Sequence, residues 1–139
     1  MRRPSGVTLI EILTLVVALV VIVAVAVPLW RTHELRAQRG RAIQVLRDVQ
    51  SAQDRYFGAH AQYADAALLG VKLAAPQYGF DVQLSDDRLS YIASAIASKG
   101  AIPGAADARC SRLSIDQHGR RSAVDSAGKD STADCWNRK

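Results

Sequence analysis

From Ile12 to Leu29 the chain is apolar at every position except Thr14. A run of 18 or more such residues is long enough to span a bilayer as a helix. After Trp30 the pattern changes without a break. Leu35, Ala42, Ile43, Leu46, Val49 and Tyr56 recur at spacings of three, four and seven, while Arg36, Arg39, Arg41, Arg47, Asp48, Asp54 and Arg55 fill the remaining surface. No Gly-Pro or Asn-Gly pair separates the two patterns. The reading is therefore one helix from Val7 to Ala59, kinked or loosened near Pro28, about 80 Å long at 1.5 Å per residue. Its amphipathic stripe covers only about three heptads, short for a coiled coil, and predicts packing on a sheet.

Gly58 and Gly70 bracket a small-residue connection with a helical turn expected near Ala64–Leu69. The period then falls to two. Tyr78, Phe80, Val82 and Leu84 alternate with Gly79, Asp81 and Gln83, which predicts a strand. Asp86-Asp87-Arg88 supplies a turn, and 89–97 reads as the second strand. Residues 101–108 hold Pro103 and Gly104 and read as loop. Leu113 and Ile115 mark a third strand, His118-Gly119 a tight hairpin, and 120–124 a fourth strand. Residues 125–134 are polar and irregular, and Cys135-Trp136 tie the tail down. The pattern thus predicts an α+β chain, one long N-terminal helix followed by four short antiparallel strands.

Charge and cysteines change this picture modestly. The 139 residues carry a formal charge of +5, a weak pointer to anionic partners. The two cysteines, Cys110 and Cys135, form no CxxC pair and have no His at metal-ligand spacing. The apolar segment sends the C-terminal part of the chain out of the cytoplasm, where disulfides persist, so a Cys110–Cys135 bond is expected. No nucleophile elbow, phosphate-cradling glycine loop or metal-ligand cluster is present in the sequence, and neither an enzyme nor a cofactor is expected. The scattered His33, His60 and His118 and the pair Asp86-Asp87 read as surface and turn residues, and Trp136 as packing over the disulfide.

Glu11 stands at the head of the apolar run. It lies four residues from Val7, about 6 Å along a helix, in the first turns where the dipole favours an anion. Preceded by Arg2 and Arg3, the segment Gly6-Val7-Thr8-Leu9-Ile10-Glu11 and its apolar helix resemble the class III signal of the type IV pilins. Pro28 also sits where many members of that family carry a helix-disturbing proline. Val7 stands where the family usually has Phe, and Val20 where many members have Gly. The resemblance implies that a prepilin peptidase cuts between Gly6 and Val7 and N-methylates Val7. It also implies that Glu11 faces the N-terminal amine of a neighbouring subunit, which sets register more than stability.

In the C-terminal half, Cys110-x-x-Leu113-x-Ile115-Asp116-Gln117-x-Gly119-x-x-Ser122-Ala123 and Cys135-Trp136 resemble minor pilins of the PilE kind and competence pilins of the ComP kind. The implied architecture is the type IV pilin fold, a long helix on a four-stranded antiparallel sheet with a disulfide-closed tail. The implied division is a leader 1–6, a transmembrane or filament-core half 7–30 and a periplasmic head 31–139. The implied role is a minor pilin that primes or joins a pilus in adhesion, twitching motility or DNA uptake, first in a bacterial inner membrane and then on the cell surface. Its partners would be other pilins and the inner-membrane assembly platform. A DNA-binding competence pilin, a type II secretion pseudopilin and an unprocessed signal anchor are the alternatives. For DNA, the candidate residues are Arg112, Arg120, Arg121, Lys129, Arg138 and Lys139, with Arg109 beside them. They form one basic stripe if the hairpin and the tail are neighbours, and would give weak, salt-dependent phosphate binding.

Overall fold

A computed structural model describes residues 8–98 and 107–136. The expected leader, Val7, most of the expected loop 101–108, and Arg138 and Lys139 lie outside them. One helix, α1, is assigned from Leu9 to His60, with Pro28 inside it, and the chain divides into two units between Glu34 and Leu35.

The first unit is helix alone. Its start follows from local chemistry. Thr8 precedes the first helical residue, its carbonyl accepts from the N–H groups of Glu11 and Ile12, and its own N–H donates toward Glu11 Oε2 at 3.5 Å. Ser/Thr followed three residues later by Glu is a capping box, which satisfies N–H groups that the first turn leaves orphaned. Behind it Leu13, Val17, Val21 and their neighbours are all exposed, with no protein covering them. This is the helix whose length and composition suit a membrane span.

The second unit begins with Leu35 on the same helix. Ala42, Leu46, Val49 and Ala52 are buried, and Ile43 packs against their cluster, so the apolar spacing read from the sequence is the face that meets the sheet. Strands β1 (Tyr78–Leu84), β2 (Tyr91–Ala97), β3 (Arg112–Asp116) and β4 (Arg121–Val124) form one antiparallel sheet in the order β1-β2-β3-β4. Period-two alternation turns Tyr91, Ala93 and Ala95 inward against Leu113, Ile115 and Ala123, and leaves Ile92, Ile96 and Arg112 outside.

The hairpin between β3 and β4 turns as its sequence suggests, though only one of the two residues uses positive φ. Gly119 has φ +72°, while Asp116 accepts from the N–H groups of His118 and Arg120. A Cβ at Gly119 would lie 3.0 Å from Gln50 Nε2 of α1, so glycine also admits the hairpin tip to the helix.

Two short elements were not legible in the pattern. Residues Ala108–Cys110 form a 3-10 turn, and helix α2 spans Thr132–Trp136 in a stretch that reads as irregular. Five residues are too few to show helical periodicity. Side-chain contacts set α2 instead. Thr132 Oγ1 accepts from Ala123 N–H, and the Trp136 indole N–H donates to Ser122 O at 2.9 Å.

Candidate functional site

The residues singled out by the sequence lie at the amino end of α1 and in the unit from Leu35 on. The N-terminal one is Glu11. Its carboxylate is directed back at the amino end of its own helix, toward Thr8 N–H, and Thr14 Oγ1 donates to its main-chain oxygen at 2.9 Å. An acid at this place is stabilised by the orphan N–H groups and the helix dipole. Pro28 lies inside the helix, where it removes one main-chain donor. Gly6 and Val7 lie outside the described residues.

The second feature lies in the head. Cys110 and Cys135 are disulfide-bonded, with Cα atoms 5.8 Å apart, and both are buried. The bond joins the 3-10 turn before β3 to α2 after β4. Beside it is a polar cluster that the sequence reading missed. Arg39, expected on the solvent side of α1, is turned inward. Its Nη2 lies 2.7 Å from Asp107 Oδ2 and its Nε–H donates to the same oxygen at 2.8 Å. Asp107 is only 5 % exposed. It also accepts from the Tyr78 hydroxyl at 3.1 Å and, through Oδ1, from Cys110 N–H at 3.3 Å. Burial, and then the Asp107 carboxylate, push the Tyr78 hydroxyl well above its ordinary pKa, so it remains a donor throughout the accessible pH range. Three segments therefore meet at one carboxylate: α1, β1 and the 3-10 turn, whose Cys110 carries the disulfide. Helical spacing could have revealed Arg39, because it lies four residues before Ile43 and seven before Leu46.

A second buried polar group works in the same way. Gln53 is fully buried and takes both polar atoms of one residue, donating to Ala64 O at 2.7 Å and accepting from Ala64 N–H at 3.0 Å. It fastens the connection after α1 back onto the helix.

The C-terminal cations are divided. α2 does pack beside β4, so hairpin and tail are neighbours. Arg120, however, is paired with Asp116 at 2.7 Å, and the Arg121 guanidinium sits 5.5 Å from the centre of the Trp136 ring. These two lie at the hairpin end of the β3–β4 pair, whereas Arg112, opposite Val124, lies at the other end. Lys129 follows β4 at that other end, in a turn where Asp125 accepts from Lys129 N–H. Burial raises the Asp116 carboxyl, but the hydrogen bonds from Arg120 and His118 outweigh it and hold the group below the usual carboxylate range. The Trp136 ring is buried, and the contacts that hold it are with Ser122 and Arg121. Among the described residues no group of three or more His, Cys, Asp or Glu is placed to hold a metal ion.

No family model matches the chain, and no curated protein matches it. A solved structure of a type IV pilin from Shewanella oneidensis does. It superposes with a TM-score of 0.50 and 23% identity, over 75% of this chain and 99% of that one. At this identity the likeness is one of fold. The long N-terminal helix, the four-stranded antiparallel sheet and the C-terminal disulfide are the type IV pilin fold.

Proposed function

We propose that this chain is a structural subunit of a type IV pilus, inserted in the inner membrane by its apolar helix and then built into the filament through it. The observation that carries this reading is the pairing of two facts. The helix behind Glu11 is apolar to Trp30 except at Thr14 and is of membrane length, and the long helix, four-stranded sheet and disulfide have the pilin architecture. A bare apolar helix of this kind must be covered by lipid or by other apolar helices, and a filament core of packed helices satisfies that need. The leader 1–6, the core half 7–30 and the head 31–139 are the division that this reading requires. The C-terminal residue pattern supports a minor subunit.

In this reading Glu11 pairs with the N-terminal amine of a neighbour. The carboxylate is already aimed at the amino end of the helix, so the same geometry serves an incoming amine. Glu11→Ala makes the segment more apolar and should leave the amount of protein in the membrane unchanged. It leaves the neighbour's amine unpaired among apolar helices. Loss of one partner of a buried pair costs about 3–5 kcal/mol, so recovery in sheared filaments should fall at least about ten-fold. Immunoblots of membrane and sheared fractions decide it, and equal recovery of variant and wild type contradicts the role.

A further inference from the structure

The helix α1 carries an unexplained charged face. Arg36, Arg41 and Arg47 are exposed, none forms an ion pair among the described residues, and no acid occurs from Leu35 to Arg47. At 100° per residue, Arg36 and Arg47 stand on one side of this face, roughly 16 Å apart, and Arg41 stands on the other. Between them lie the small residues Ala37 and Gly40 and, one turn further on, Gln44, which donates to Asp48 Oδ1 at 3.0 Å at the end of the face.

The complement of this face is on the same chain. The turn from Ser85 to Ser90, between β1 and β2, is stiffened by its own bonds. Ser85 N–H donates to Ser90 O, Arg88 N–H to Ser85 O, and the Asp87 carboxylate accepts from Ser85 Oγ and Leu89 N–H. It holds Leu89 in solvent, 55 % exposed, beside Asp86 and Asp87. Tyr63 N–H donates to Arg88 O at 2.8 Å, which places the turn just beyond the C-terminal end of α1. That is roughly 28 Å along the helix from Arg41 to His60. Asp54, Asp65, Asp86 and Asp87 outnumber Arg55 and Arg88 at this end.

We propose that the arginine-rimmed face of α1 docks the acidic β1–β2 turn of a second copy of this chain, Leu89 resting on Ala37 and Gly40 while Asp86 and Asp87 meet the arginines. Between copies that share one orientation along a filament, the contact joins two different surfaces and repeats from copy to copy. Exposed ion pairs alone are worth little, and the rigid apolar tip beside the two acids supplies the anchor. The proposal rests on the filament reading but not on the minor assignment, because it lets copies of this chain occupy successive positions.

The test uses the full chain in membranes, with Arg47→Lys to supply an amine and equal amounts of isotopically light and heavy copies. Zero-length carbodiimide coupling should give a light–heavy peptide pair joining position 47 to Asp86 or Asp87, and Asp86→Asn with Asp87→Asn should lower its yield about five-fold. In parallel, Arg36→Glu, Arg41→Glu and Arg47→Glu together should lower recovery in sheared filaments about five-fold, and adding Asp86→Lys and Asp87→Lys should restore it. Links from position 47 to Asp125, Asp130 or Asp134, or links within one copy only, overturn the proposal. So does capture of phosphatidylglycerol vesicles or duplex DNA by this face with no light–heavy link. Wild type present in filaments with the charge variants unaffected removes this contact alone, and wild type absent from filaments removes the filament reading and the contact with it.

Discussion

Replacing Arg39 with Met destabilises the unit from Leu35 on by about 3–5 kcal/mol, the cost of breaking a buried ion pair from one side. The Asp107 carboxylate is almost fully buried and, among the described residues, is neutralised by one cation, Arg39, itself 17 % exposed. The remaining donors, Tyr78 hydroxyl and Cys110 N–H, are neutral and cannot replace a charge. Methionine keeps the aliphatic volume of the arginine stem, so the loss is electrostatic rather than steric. The double variant Arg39→Met with Asp107→Leu should recover part of that loss, because it removes the stranded charge together with its partner. Urea unfolding of the full chain in detergent measures all three, and the double-mutant cycle isolates the pair. A single variant within about 0.5 kcal/mol of wild type, the range of an ordinary surface change, would mean that Arg39 is the solvent-side residue its charge suggests.

Loss of the disulfide should be nearly as costly and more localised in its consequences. Cys110 and Cys135 are 25 residues apart. Closing a loop of that size removes about 3.5 kcal/mol of denatured-state entropy in the chain-entropy model. Alanine is the suitable replacement at both positions, since a serine hydroxyl would be buried without an assured partner. α2 has only five residues and cannot persist without tertiary anchors. With the bond gone it retains the Trp136–Ser122 and Thr132–Ala123 contacts. Amide exchange should therefore quicken first at Ser131 and Cys135, whose N–H groups donate to Ala123 O and Ser131 O. Protection in β2 and in α1 around Val49 should change only with global stability. Uniform loosening of the whole sheet would show that the bond supports the fold at large rather than the tail.

The elements legible in the sequence were those with enough residues to show a period. The stripe from Ala42 to Val49 and the alternation from Tyr78 to Leu84 each report one buried face, and the structure buries those faces. The capping box at Thr8 and Glu11 is a residue pair three apart that the reading of Glu11 by its charge passed over. What escaped was polar burial. Arg39 and Gln53 both lie on the helical stripe by spacing, four residues from Ile43 and Val49 respectively, yet hydropathy assigns them to solvent. Only the partners, Asp107 some 68 residues away and the main chain of Ala64, make their burial favourable. The C-terminal basic residues are arranged by contacts that hydropathy does not show, and Arg138 and Lys139 lie outside the described residues. The charges are close in sequence, but strand geometry separates Arg112 from Arg121, and Asp116 and Trp136 engage Arg120 and Arg121.

If the helix behind Glu11 belongs to a filament subunit, the chain must carry a particular amino end. A helix capped by Thr8 with Glu11 aimed backward makes sense in a filament if the chain begins immediately before the cap. Coexpression with a prepilin peptidase, followed by intact-mass and N-terminal peptide measurement, reads this directly. The expected result is loss of residues 1–6 and an added methyl group on the nitrogen of Val7. An intact Met1, or a chain cut inside the apolar run, would make this an ordinary anchored or secreted protein and contradict the account.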